Sequence, residues 1–141
     1  MRLKTRARYA VMALADIAKQ NSSKAISLRD ISLRQGISLN YLEQLFIQLK
    51  KNNLVISSRG KNGGYLLAKE PGEINLSSIM IAVNDEVKTM KCNKDLKDSC
   101  NGKSIKCITH NLWDELENHI NNFFEEKSLE DLIKNNFEKR V

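Results

Sequence analysis

The stretch Ser27-Leu-Arg-Asp-Ile-Ser-Leu-Arg-Gln-Gly36-Ile37-Ser38-Leu-Asn-Tyr-Leu-Glu-Gln-Leu-Phe-Ile-Gln-Leu-Lys-Lys51 decides the fold. Ser27-Leu-Arg-Asp30 approximates a capping box, so a helix opens near Ser27 and runs to Gln35, where Gly36 breaks it. Gly36-Ile37-Ser38 is then a tight turn, and Ser38 is placed to cap a further helix from Leu39 to about Lys51. Helix, glycine turn and capped helix make a helix-turn-helix. In the second helix Leu42, Leu45, Phe46 and Leu49 form the apolar back, while Asn40, Tyr41, Glu43 and Gln44 occupy outward positions.

Upstream, Tyr9, Ala10, Ala13, Leu14, Ile17 and Ala18 recur at helical spacing, predicting an amphipathic helix over 4–19 that the Asn21-Ser22-Ser23 cluster ends. Downstream, Leu54-Val55-Ile56 and Tyr65-Leu66-Leu67 are short β-type runs on either side of Ser57-Ser58-Arg59-Gly60-Lys61-Asn62-Gly63-Gly64. A helix-turn-helix followed by such a hairpin is a winged helix, which Pro71-Gly72 closes. Ser77 to Asn84 predicts a short helix packing back through Ile79, Ile81 and Ala82. Periodicity is lost over 85–106 and returns from Cys107 to about Phe124, where Leu112, Leu116, Ile120 and Phe123 or Phe124 make one stripe with Trp113 beside it. Ser128-Leu-Glu-Asp131 caps a last short helix. The expected architecture is mainly α with a small β-hairpin: a winged helix-turn-helix over 1–84, a loop over 85–106, and a long dimerisation helix with a C-terminal helix over 107–141.

Charge separates the halves. Residues 1–70 carry 13 Lys/Arg against 4 Asp/Glu, and residues 71–141 carry 10 against 13. A basic winged helix favours double-stranded DNA, and the acidic remainder suits self-association. Major-groove reading needs polar side chains near the N-terminus of a helix held from behind, so Ser38, Asn40, Tyr41, Glu43 and Gln44 are the candidate contacts. Gln44 suits adenine. Glu43, the one acidic residue of its helix, can accept from a cytosine amino group and otherwise repels DNA. At the wing, Arg59, Gly60 and Lys61 suit close approach to phosphate or a narrow minor groove, and Arg6, Arg8, Lys50 and Lys51 add candidate phosphate contacts.

Three cysteines and a histidine, Cys92-x7-Cys100-x6-Cys107-x2-His110, lie on the aperiodic segment and the start of the helix that follows it, and the chain has no other cysteine. Four soft ligands on one loop point to a metal site. Cys3His suits an iron-sulfur cluster or structural zinc, with redox-active free thiols a third reading. Zinc sites commonly carry a close pair of cysteines, which is missing here. Five lysines against two aspartates over 91–110 favour thiolate formation and offset an anionic cluster. Catalysis is not expected, because no nucleophile-base-orienter set, Gly-x-Ser-x-Gly elbow or P-loop ending is present. No apolar run approaches the roughly eighteen residues of a membrane span, so a cytoplasmic protein without membrane contact is expected.

Four stretches form one pattern: Arg2-Leu3 with Arg8-Tyr9-Ala10-Val11, Gln35-Gly36-Ile37-Ser38-Leu39-x-Tyr41-Leu42-Glu43-Gln44-Leu45-Phe46, Arg59-Gly60-x-x-Gly63-Gly64-Tyr65-Leu66-Leu67 and Cys107-x-x-His110-x-Leu112-Trp113. Across nearly the whole chain they resemble the iron-sulfur cluster assembly regulators of the Rrf-type winged-helix family. The resemblance implies a homodimeric transcription factor that holds a [2Fe-2S] cluster through Cys92, Cys100, Cys107 and His110. It further implies control of cluster-assembly genes, the cluster-assembly machinery as donor, and a partially palindromic operator. A zinc-binding or thiol-redox winged-helix regulator is the alternative. The cysteine gaps here are longer than is usual in the family, which a loop accommodates at little entropic cost, and Asn40 stands where close relatives carry serine. The expected dimer interface is Leu112, Trp113, Leu116, Ile120 and Phe123.

Overall fold

The computed structural model describes residues 4–88 and 108–134. Helix α1 (Thr5–Gln20) ends at Asn21 in the left-handed conformation, α2 (Leu28–Gln35) is capped by the Ser27 hydroxyl accepting from the Asp30 amide, and α3 spans Leu39–Lys51. Strands β1 (Val55–Ser58) and β2 (Gly64–Leu67) pair antiparallel, with Val55 opposite Leu67 and Ser58 opposite Gly64. After a 3-10 turn at Pro71–Glu73 come α4 (Leu76–Ala82), α5 (His110–Glu126) and α6 (Leu129–Ile133).

The winged helix-turn-helix is therefore as the sequence predicts, with three local differences. Ser38 does not cap α3 through its side chain. The turn is held instead from α2, where the Ser32 hydroxyl donates to the Ile37 carbonyl and the Gly36 amide to the Ser32 carbonyl at 2.9 Å. Helix α4 starts a residue earlier than Ser77, because the Asn75 side chain accepts from the Ser78 amide. Ile81 is half exposed rather than packed, since Leu76, Ile79 and Ala82 already fill the inner face at three-residue intervals. The helix predicted from Cys107 begins at His110.

One core joins these elements. Ala10, Ala13, Leu14 and Ile17 of α1 pack with Ile31, Leu42, Phe46, Leu49, Val55, Ile74 and Ile79. Leu129 of α6 is fully buried in the same cluster, and its backbone is stitched to the chain before α4 by Leu129 amide to Ile74 carbonyl at 3.0 Å and Leu76 amide to Lys127 carbonyl at 2.8 Å. The C-terminal helix thus completes the DNA-reading unit. A smaller cluster, Ala7, Met80 and Val87 with Ile120 and Phe124 against it, seats the far part of α5.

The wing carries a third strand-like element. Ile26 exchanges two backbone bonds with Tyr65, at 2.9 and 2.8 Å. The approach is so close that a β-carbon at Gly64 would collide with the Ile26 carbonyl, so glycine is required by contact.

Candidate nucleic-acid interface and metal-ligand segment

Four buried residues, Leu42, Leu45, Phe46 and Leu49, fix the rotation of α3 and leave Asn40, Glu43 and Gln44 exposed, as the spacing predicts. Ser38 is exposed at the entrance to the helix. Tyr41 is only half exposed, and its ring meets Tyr9 of α1 edge-on at 5.6 Å. Arg6 lines a small cleft with Tyr41, Gln44 and Gln48, so a guanidinium from α1 stands beside the exposed side of α3.

The wing tip is exposed at Arg59, Gly60 and Lys61, and the Gly63 amide closes its turn on the Gly60 carbonyl at 3.0 Å. Gly60 has φ +110°, open only to glycine at low cost. Lys61, Asn62 and Gly63 share a polar groove with Lys24, Ser27 and Asp30, so the wing lies beside the start of α2. Lys50 is not a freely swinging cation: its Nζ donates to Ser57 Oγ at 2.7 Å and links the end of α3 to β1.

An ion pair between buried Asp16 and half-exposed Arg34 ties α1 to the end of α2, and the sequence analysis does not predict it. Asp16, on the inner face of α1, accepts from Arg34 Nη2 at 2.7 Å and Nε at 3.0 Å and from Gln35 Nε2 at 2.7 Å. Burial alone would raise the Asp16 pKa. Hydrogen bonds from Arg34 and Gln35, with the charges of Arg34 and Lys19, outweigh it and hold the carboxyl below its ordinary 3.8. The signal was present: an acid stands between Leu14 and Ile17 on an otherwise apolar stripe, where only a paired carboxylate is tolerated.

Of the metal-ligand candidates, Cys92, Cys100 and Cys107 lie outside the described residues. His110 is placed as the first residue of α5 and is 8 % exposed. Along α5, Leu112, Trp113 and Phe123 are exposed, whereas Leu116 and Ile120 are intermediate. Trp113 Nε1 donates to Thr109 Oγ1 at 3.0 Å, which ties the indole back over the helix start. His119 is on the helix surface, 4.0 Å from Glu115.

The Rrf2 family model, described as an iron-dependent transcriptional regulator, matches residues 3–135. The chain belongs to the Rrf2 family. It is 46% identical over 135 residues to the HTH-type transcriptional regulator IscR of Xenorhabdus nematophila, covering 96% of this chain and 80% of the relative. The IscR of Cronobacter sakazakii is 45% identical, with 96% and 82% covered. Among solved structures, T. potens IscR superposes with a TM-score of 0.76 at 30% identity over 100% of this chain and 92% of the other. CymR, the global cysteine regulator of B. subtilis, superposes with a TM-score of 0.80 at 26% identity over 96% and 98%. The protein is accordingly a DNA-binding transcriptional regulator of the Rrf2 family, and its relatives are regulators rather than enzymes. No described helix is long and apolar enough to cross a membrane.

Proposed function

We propose that this Rrf2 regulator binds a [2Fe-2S] cluster through Cys92, Cys100, Cys107 and His110 and controls iron-sulfur cluster assembly genes in response to cluster supply. The observation that carries the reading is the donor set itself: three cysteines, the only ones in the chain, converge in sequence on a histidine that stands largely shielded from water at the head of α5. The chemistry of that set fits the group. Three thiolates satisfy a thiophilic iron pair, and the lysines at 91, 94, 97, 103 and 106 offset the anionic charge. The similarity to proteins named IscR supports the same reading.

When bound, the cluster supplies a redox-sensitive and displaceable group whose imidazole ligation raises its potential above that of all-cysteine ligation. The work of recognition falls to this chain's own side chains. Gln44 and Asn40 offer amide groups to base edges, Tyr41 its hydroxyl, and Glu43 accepts from a cytosine amino group or repels the backbone where that partner is missing. Ser38 and the wing residues Arg59, Gly60 and Lys61 position the domain on phosphate. The exposed apolar side of α5, Leu112, Trp113 and Phe123 with Leu116 and Ile120 at its border, is the surface for a second copy of the chain. A two-fold dimer reads a partially palindromic operator. The cluster-assembly machinery is the cluster donor, and the cytoplasm the compartment.

The experiment is purification without oxygen, followed by a visible spectrum, iron and sulfide analysis, and footprinting with wild type and Cys92→Ala. A coloured protein with iron and sulfide in equal amounts, and different operator preferences for the two forms, is expected. Colourless protein holding zinc in stoichiometric amount overturns the cluster assignment.

A further inference from the structure

The chain enters the cysteine-bearing segment through a junction bonded to the start of α1 and the end of α3. Asn52, at the end of α3, donates from Nδ2 to the Ala82 carbonyl at 3.4 Å. Arg6 Nη1 donates to the Val83 carbonyl at 3.2 Å, and the Ala7 amide donates to Asp85 Oδ2 at 2.8 Å, across 78 residues of sequence. Ala7 lies in the first turn of α1, where amides have no partner within the helix. Lys4, at the cap position, supplies no side-chain acceptor, and the turn contains no acid of its own. Asp85, itself buried, therefore provides from a distance both the acceptor and the negative charge that a helix start favours. Arg6 and Arg8, cations at the positive end of the helix dipole, make that charge matter more.

Two residues further on, Val87 is buried with Ala7 and Met80, and Ile120 and Phe124 of α5 close over them. The start of α1 is thereby joined to the chain on both sides of the cysteine segment: to 85–87 before it, and after it to the helix that His110 begins. Farther along α1, Tyr9 meets Tyr41 of the recognition helix. From residues 85–87 through the first turns of α1 to the recognition helix, the path consists of direct contacts.

We propose that Asp85 is a positioning residue that transmits the state of the cysteine segment to the recognition helix by making or releasing the cap on α1. The proposal rests on the cluster-sensing reading above. With the ligand segment engaged, the 85–87 junction is held, the cap is made, and Arg6 and Tyr9 are fixed against α3. With the segment released, the cap opens for part of the time and the first turn of α1 loosens. The coupling requires only that the two states differ in how well they hold this bond.

The test compares full-length wild type, Asp85→Ala and Asp85→Asn, each cluster-loaded and cluster-free, by operator affinity and by hydrogen exchange of the amides at residues 5–8. Asp85→Ala is expected to bring both forms to the same fast exchange at Ala7 and to shrink the affinity ratio between loaded and cluster-free protein by about fivefold or more. Iron and sulfide content should not change. Asp85→Asn keeps an oxygen acceptor and the side-chain shape, so it should keep the fold and restore part of the ratio. Unchanged protection at Ala7, or equal weakening of both forms by Asp85→Ala with the ratio intact, overturns the proposal. A wild type whose two forms bind every operator equally overturns the cluster-sensing reading instead, while the exchange measurement on cluster-free protein still reads the hold of Asp85 on α1.

Discussion

Helix α3 buries Leu42, Leu45, Phe46 and Leu49, whereas the longer α5 buries only His110 and Glu117 and leaves Leu112, Trp113 and Phe123 exposed. The first belongs to a unit that closes its own core with α1, α2, the wing, α4 and α6. The second rests on that unit at Ile120 and Phe124 and presents the rest of its apolar surface outward. A reading head has to be rigid before it meets DNA, because base discrimination depends on side chains held in place. An arm with an uncovered apolar side, by contrast, keeps surface for whatever completes it.

The contrast breaks most readily at the core. Phe46→Ala should cost about 3–5 kcal/mol in chemical denaturation through the cavity it leaves, while Leu112→Ala, at a site already in water, should change monomer stability by less than about 0.5 kcal/mol. Comparable losses from the two would mean that α5 is as much core as α3.

The Asp16–Arg34 pair comes next. Arg34→Ala removes the main partner of the Asp16 carboxylate; because Arg34 is half exposed and Gln35 still donates to Asp16, the loss should be about 1–2 kcal/mol. Since the folded carboxyl titrates below 3.8, the pair contributes fully above that pH and is lost as pH falls through its folded titration point. An acid titration of wild-type stability should therefore show a decline below 3.8 that Asp16→Asn lacks. An unchanged acid limb in that variant removes Asp16 from the account.

On the arm, if α5 carries the proposed contact with a second copy, Phe123→Glu should raise the dimer dissociation constant about tenfold or more, near 1.4 kcal/mol, in sedimentation, with the helical spectrum of each protomer preserved. A dimer as tight as wild type would place the interface elsewhere. The smallest effect is at the wing. Arg59→Ala should lower the slope of log affinity against log salt by about one and leave stability within about 0.5 kcal/mol; an unchanged slope means that Arg59 does not meet phosphate.

Local chemistry made much of this legible. The Ser27 cap, the break at Gly36, the apolar back of α3 and the Ser128-Asp131 capping box all act within a few residues, and each occurs where the sequence predicts it. So does the exposure of Asn40, Glu43 and Gln44, which follows from the period of a helix with one apolar side. The misreadings have one origin. Ser38 resembles a cap by composition, but the turn is held by Ser32, and Ile81 resembles a core residue until the inner face of α4 proves to be filled.

By itself the sequence determined the helix-turn-helix, the wing and the family, because these are properties of residue identity and short spacing. Only the tertiary structure decided that Ile26 joins the wing, that Leu129 completes a core begun over a hundred residues earlier, that Asp16 clamps Arg34, and that Asp85 caps α1. Those are pairings between distant segments. Their partners are chosen by which buried polar group must find an acceptor and which apolar face must find cover, and neither demand leaves a periodic trace along the chain.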